Sequence, residues 1–282
     1  MTVRTKLMSA GAKPHRRKRW AIAALLVVLA APAAADKLDD VKAHGKLMVG
    51  VSDTTPPFSF RKTPQDAITG YDIDLVKGVA KRMGVTLEMV PVSSAERIPL
   101  LQQDKLDFVA TSMTRTRERL REIDFSHIYF VTPHAVIVTK QSGITSVRQL
   151  AGRKASSAST STAGGNLKDV VADVNIVYVR DYAQAFAALK AGEVDAFTTD
   201  ETVLRAIVRQ DGHSDDYVFL PDFAKSRDVG FALKKGEPRL KAAINQALLD
   251  IEGSGEAANI WNAWFGPGSE MPMARTFKIQ VD

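Results

Sequence analysis

The 282-residue chain contains no cysteine. That absence excludes a disulfide framework, a thiolate metal site, a cysteine nucleophile and a lipid anchor carried on a cysteine behind a leader. Beyond residue 35 there is no apolar run approaching the roughly 18 residues that a membrane-spanning helix needs. No internal repeat is evident. A Walker loop, a Gly-x-Ser-x-Gly elbow, a His-Glu-x-x-His pair and a dinucleotide fingerprint are all missing. The five histidines are scattered, which speaks against a metal centre, and no cofactor is expected.

A surplus of one charge sign is missing too, once the first 35 residues are set aside. Those residues hold seven Lys and Arg and no acid, leaving 38 − 7 = 31 basic against 32 acidic residues. The formal charge of +6 therefore belongs to the leading segment and marks no nucleic-acid partner. Within it, Lys13, Arg16, Arg17, Lys18 and Arg19 precede an apolar run from Ala21 to Ala31, and Ala33, Ala34 and Ala35 precede Asp36. This is the pattern of a secretory signal peptide cleaved after Ala35. The expected mature chain is free in the periplasm.

What is present is a folding composition, 45% hydrophobic and 25% charged. Strand-like and helix-like segments alternate, which predicts βα units and an α/β fold. Strands are expected at 47–52, 86–92, 106–110, 134–139, 175–179, 194–198 and 228–234. Asp72 is a candidate N-cap for a helix with Ile73, Val76, Val79, Ala80 and Met83 on one face, stopped by Gly84. Further helices are expected near 99–103, 117–122, 146–150, 182–190 and 201–209. A long helix follows on Leu240, Ile244, Ala247, Leu248 and Ile251, and a last one carries Trp261 and Trp264 as core residues. Residues 141–164 are otherwise polar and small. Two lobes joined by crossings near 134–140 and 228–234 fit this layout.

The ordered set Val49-Gly-Val-Ser, Pro56-Pro-Phe58, Gly70-Tyr-Asp-Ile-Asp-Leu75, Arg97-Ile-Pro-Leu-Leu-Gln102, Thr111-Ser-Met-Thr114 with Arg119, Asp124-Phe-Ser126, Gly192-Glu-Val-Asp-Ala-Phe and Asp200 resembles extracellular solute-binding family 3. These are the polar amino-acid-binding proteins of bacterial importers, and the likeness spans about 46–266. The Arg97 stretch is most similar to the glutamate/aspartate-binding branch. The resemblance implies a type II periplasmic-binding fold, with two α/β lobes joined by a two-stranded hinge. Residues 36–135 and 231–282 would form lobe one, and 136–230 lobe two. It implies a monomer that binds a free, polar, acidic L-amino acid and delivers it to a membrane permease whose ATPase is a separate chain.

A site that dehydrates a carboxylate and an ammonium must replace their water. By the resemblance, Arg119 meets the ligand carboxylate with two parallel N–H groups, helped by Ser112, Thr114, Ser161 and Thr162. Asp200 pairs with the α-ammonium, and Arg97 with Ser94 receives a side-chain carboxylate. Phe58 packs on the ligand stem. Three positions depart from the pattern: Ser52 replaces a second Arg, Tyr182 a His, and Thr160 a Gly of the carboxylate-binding turn. The same fold hosts periplasmic cyclohexadienyl dehydratases acting on prephenate or arogenate, which form the enzymatic alternative. A sensory input module is a third reading.

Overall fold

The structure is a computed structural model that describes residues 1–3, 37–159, 161–223 and 225–281. The expected leader and cleavage site, and Thr160, lie outside the described residues. All elements below belong to the unit Ala35–Asp282.

The chain first lays down α1 (Lys37–His44), β1 (Lys46–Val51), a small hairpin of β2 (Thr54–Thr55) and β3 (Ser59–Phe60), and α2 (Tyr71–Met83). Then follow β4 (Thr86–Pro91), α3 (Arg97–Gln102), β5 (Phe108–Ala110) and β6 (Ile123–Phe125). It crosses into β7 (Phe130–Thr139) and continues through β8 (Lys154–Ala158), α4 (Thr162–Val170), β9 (Asn175–Val179) and α5 (Tyr182–Lys190). Next come β10 (Ala196–Asp200), α6 (Glu201–Asp211), β11 (Tyr217–Phe219) and β12 (Lys225–Val229). It returns with β13 (Ala232–Lys234), α7 (Pro238–Gly253) and α8 (Glu256–Phe265).

Among the described residues, one sheet has the order β4-β1-β5-β13-β6 and the other β11-β7-β10-β8-β9, with β12 paired to β7. Each sheet mixes parallel βα units with antiparallel returns. These are the two α/β lobes of the type II periplasmic-binding fold. β7 runs antiparallel to β12, Phe130 opposite Val229 and His134 opposite Lys225, as a two-stranded ribbon beside the crossings.

The periodicity of α2 is real, and Gly84 ends it in the left-handed region at φ 70°. Its cap is corrected: Gly70, not Asp72, precedes the first turn, and Asp72 is fully buried. Gly70 has φ 142°, and a Cβ there would stand 2.0 Å from the Phe58 carbonyl oxygen, so only glycine fits. The single strand expected over 228–234 is two strands in two sheets, divided at Gly230. A Cβ on Gly230 would press on the Ser126 carbonyl oxygen at 3.2 Å, where the chain changes sheet. The charged helix expected at 117–122 is one 3-10 turn, Arg119–Arg121.

The polar stretch 141–164 hides a buried strand. In β8 every residue from Ala155 to Ala158 is buried, and the hydroxyls are satisfied by carbonyls: Ser156 Oγ donates to Ala185 O at 2.8 Å and Ser157 Oγ to Thr198 O at 3.3 Å. Small side chains let α5 pack closely over this strand, and a paired hydroxyl there costs little.

Candidate functional site

Strand ends and helix starts bring the polar residues together. Ser112 and Thr114 follow β5, and Ser112 adopts φ 50°, an unusual value for a residue with a Cβ. Its N–H donates to Asp72 Oδ2 at 2.7 Å. Burial pushes the Asp72 carboxyl up to about 7, against the downward pull of that N–H group. Asp72 thus sits behind Ser112 and braces the turn.

Arg119 lies on the 3-10 turn and donates from Nη1 to Thr114 O at 2.8 Å. Burial, then the neighbouring positive charges of Arg97 and Arg227, bring its guanidinium down to about 10, so it stays charged at neutral pH. From the other lobe, Ser161 caps α4 by accepting the Ala163 N–H at 3.2 Å. One lone pair of its hydroxyl is thereby taken up by the helix, and its O–H can still donate. Thr162 Oγ1 lies 3.3 Å from Thr114 Oγ1, directly joining the lobes, and 3.3 Å from His134 Nε2.

Asp200 ends β10 and caps α6 by position without a side-chain cap bond. Its carboxylate instead faces His134 Nε2 at 3.4 Å and the Arg227 guanidinium, with which it forms a buried ion pair. Burial raises its carboxyl to about 6, while Arg227 pulls the other way.

Arg97 opens α3 and is buried at 7% exposure, its Nε without a hydrogen-bond partner. With Ser94, Ser52, Thr55 and Tyr182 it lines a cavity of about 260 Å³. Thr114, Arg119, Ser161, Thr162 and Arg227 line a larger open space of about 1190 Å³ between the lobes. Each of the two spaces draws residues from both lobes.

Nine of the ten residues expected at the site therefore fall on these two spaces or the polar cluster beside them. Phe58 does not. Its ring is fully buried among Tyr71, Phe130 and Phe265, at centroid distances of 6.3, 4.7 and 6.4 Å. The tight turn at Gly70 draws it into the lobe-one core. Trp261 is core as expected, and Trp264 packs against it while donating from Nε1 to Asp74 Oδ2 at 2.9 Å.

Three site residues escaped the sequence reading: Arg227, His134 and Asp72. Arg227 bridges the lobes, donating to Asp200, to Thr114 Oγ1 and, from Nη2, to Ser112 O at 3.0 Å and Ser112 Oγ at 2.8 Å. A signal for it existed. Along β12 the residues alternate, with Arg227 and Val229 buried and Ser226 and Asp228 exposed. The same alternation in β7 buries Thr132 and His134.

Residues 47–267 match the model of the bacterial extracellular solute-binding proteins, family 3. The chain belongs to that family. It is 38% identical over 183 residues to a glutamine-binding protein of Geobacillus stearothermophilus, covering 64% of this chain and 70% of that one. It is 28% identical over 258 residues to the L-glutamate/L-aspartate-binding protein of Pseudomonas aeruginosa, covering 86% and 85%. An ancestral arginine-binding protein bound to glutamine superposes with TM-score 0.73 at 36% identity, over 79% of this chain and 99% of that one. AncCDT-1, an ancestral amino acid-binding protein and precursor of cyclohexadienyl dehydratase, superposes with TM-score 0.72 at 30% identity, over 82% and 99%.

Proposed function

We propose that this family 3 protein is the periplasmic binding subunit of an amino-acid ABC importer, working with a separate permease and ATPase. Its ligand is a polar, acidic L-amino acid, glutamate or aspartate ahead of glutamine, held by closure of the lobes about the β7–β12 ribbon. The observation that carries the acidic assignment is Arg97. A buried guanidinium with an unpartnered Nε, beside Ser94 in a cavity of about 260 Å³, asks for an anion. The wider balance of charge agrees: three guanidinium groups, Arg97, Arg119 and Arg227, lie within electrostatic reach of one another, against the two buried carboxyl groups of Asp72 and Asp200. Arg119 with Thr114 and Thr162 would hold the main carboxylate, and Arg97 with Ser94 the distal one.

Two relatives point elsewhere. The glutamine-binding relative favours a neutral amide in the Arg97 cavity. AncCDT-1 stands on the way to a dehydratase, whose substrates also carry two carboxylates. The experiment is calorimetric titration of ligand-stripped protein with L-glutamate, L-aspartate and L-glutamine, repeated with Arg97→Met, and incubation with prephenate while following aromatic product. The acidic reading requires glutamate or aspartate to bind tightest and to lose at least about thirtyfold, near 2 kcal/mol, in the variant. Tighter glutamine binding that survives Arg97→Met refutes it, and turnover of prephenate refutes the transport role.

A further inference from the structure

Asp200 lines neither the small cavity nor the open space between the lobes. It is 1% exposed, and what covers it is Arg227, itself 7% exposed. The guanidinium does not merely lie nearby. It donates to the Asp200 carboxylate, to Thr114 Oγ1, and to both oxygens of Ser112. An ammonium group would need these acceptors, because a cation leaving water has to be given an anion and directed lone pairs in return. On the far side of Asp200, Oδ1 faces His134. The carboxylate is thus enclosed by groups of the chain itself, while Arg227 is also among the residues that line the open space.

We infer that Arg227 is the specificity-determining residue of this cleft: a guanidinium of the chain occupies the cation subsite at Asp200, so the site selects ligands by their carboxylates and gains little from an α-ammonium. The inference rests on reading this cleft as the ligand site. It goes further by naming the ligand class as dicarboxylates with or without an amino group. The anchoring of Arg227 explains why it stays. Four contacts on two lobes would have to break before an incoming ammonium reached Asp200, and the displaced guanidinium would be left buried beside Arg119 and Arg97.

The test compares each amino acid with its deaminated counterpart: L-glutamate with glutarate, and L-glutamine with glutaramate, by calorimetry at constant salt. In the wild type the two members of a bound pair should differ by less than about tenfold. Arg227→Gln removes the charge and shortens the side chain while leaving it polar, opening Asp200 to a ligand ammonium. In that variant the amino acid should outbind its counterpart by at least about thirtyfold. Arg227→Met is run alongside, with circular dichroism and melting of both variants, so that one misfolded protein does not decide the matter. A wild-type preference of thirtyfold or more for the amino acid, unchanged in the variants, overturns the inference. Binding confined to the glutamine pair sinks the acidic reading alone, since the ratio within that pair still reports on Arg227. If no probe binds wild type or variant, both readings fall.

Discussion

His134 Nε2 lies 3.4 Å from Asp200 Oδ1, and the two residues are register partners across β7 and β10. The other ring nitrogen, Nδ1, lies 2.7 Å from the Asn166 side-chain amide on α4. An N–H donated to Nδ1 leaves the ring proton on Nε2, the atom that faces Asp200 and Thr162. One buried imidazole therefore ties a strand end, a helix start and the ion pair with Arg227 into a single network. His134→Ala strips a partner from the buried Asp200 and from the part-buried Thr162 and Asn166, and leaves a void. It should cost at least about 2 kcal/mol of folding stability in urea titration, more than an exposed histidine such as His213. Equal midpoints for the two variants would show that the network holds nothing together.

Asp72 gives an unusual pH dependence. In the unfolded chain its carboxyl titrates in the ordinary range, near pH 4. In the folded protein burial has raised it to about 7. Between those values the folded state holds a proton that the unfolded state has shed, so this group's contribution to stability falls as pH rises from about 4 to about 7. The loss is bounded at roughly 4 kcal/mol, about three pKa units. Asp72→Asn keeps an acceptor for the Ser112 N–H and removes the titration. Its melting temperature should gain on the wild type by several degrees between pH 5 and pH 8. A constant difference across that range would mean that Asp72 does not titrate there.

Phe58 separates the demands of the core from those of the ligand. Its edge-on packing at 4.7 Å from Phe130 lies in the lobe-one core. Phe58→Ala should cost about 3–5 kcal/mol of stability. Measured at a temperature where the variant remains folded, ligand affinity should stay within about tenfold of wild type. A variant of normal stability with lost affinity would return Phe58 to the site.

Much of the fold was legible because its signals are local. The apolar stripe of α2 and its Gly84 stop, the span Tyr182–Lys190, and the face of Leu240, Ile244, Ala247, Leu248 and Ile251 on α7 all appear as read. What escaped depends on tertiary context. β8 is a strand of alanine and serine because α5 packs over it, and no propensity announces that. The break at Gly230 is invisible until the sheets are known, since 228–234 reads as one extended run. The site divides the same way. Arg119, Asp200, Arg97 and Thr162 could be found by pattern, each beside a turn or strand end. Arg227 stands in a loop-like, charged stretch, and its importance comes from Ser112, Thr114 and Asp200, which are distant in sequence. Only the alternation with Val229 hinted at it.

Arg119 offers the sharpest separation of binding from folding. Its guanidinium is held in place by a bond to Thr114 O, and its pKa is lowered first by burial and then by the charges of Arg97 and Arg227. In the ligand-free protein these three cations repel one another; the buried Asp200 carboxylate offsets part of that repulsion, and an incoming anion offsets more. Removing Arg119 should therefore leave the empty protein as stable as the wild type or slightly more stable, the trade expected where a site is built for its ligand rather than for the fold. The bound state loses a bidentate partner for a carboxylate. Arg119→Ala should weaken glutamate or glutarate binding by at least about thirtyfold. Arg119→Lys should recover part of that, because a point charge supplies attraction without the paired N–H geometry. Melting of the ligand-free variants and calorimetry of the same samples give both readings. A destabilised empty protein with near-native affinity would reverse the assignment, making Arg119 a structural residue and leaving the carboxylate to Arg97 and Arg227.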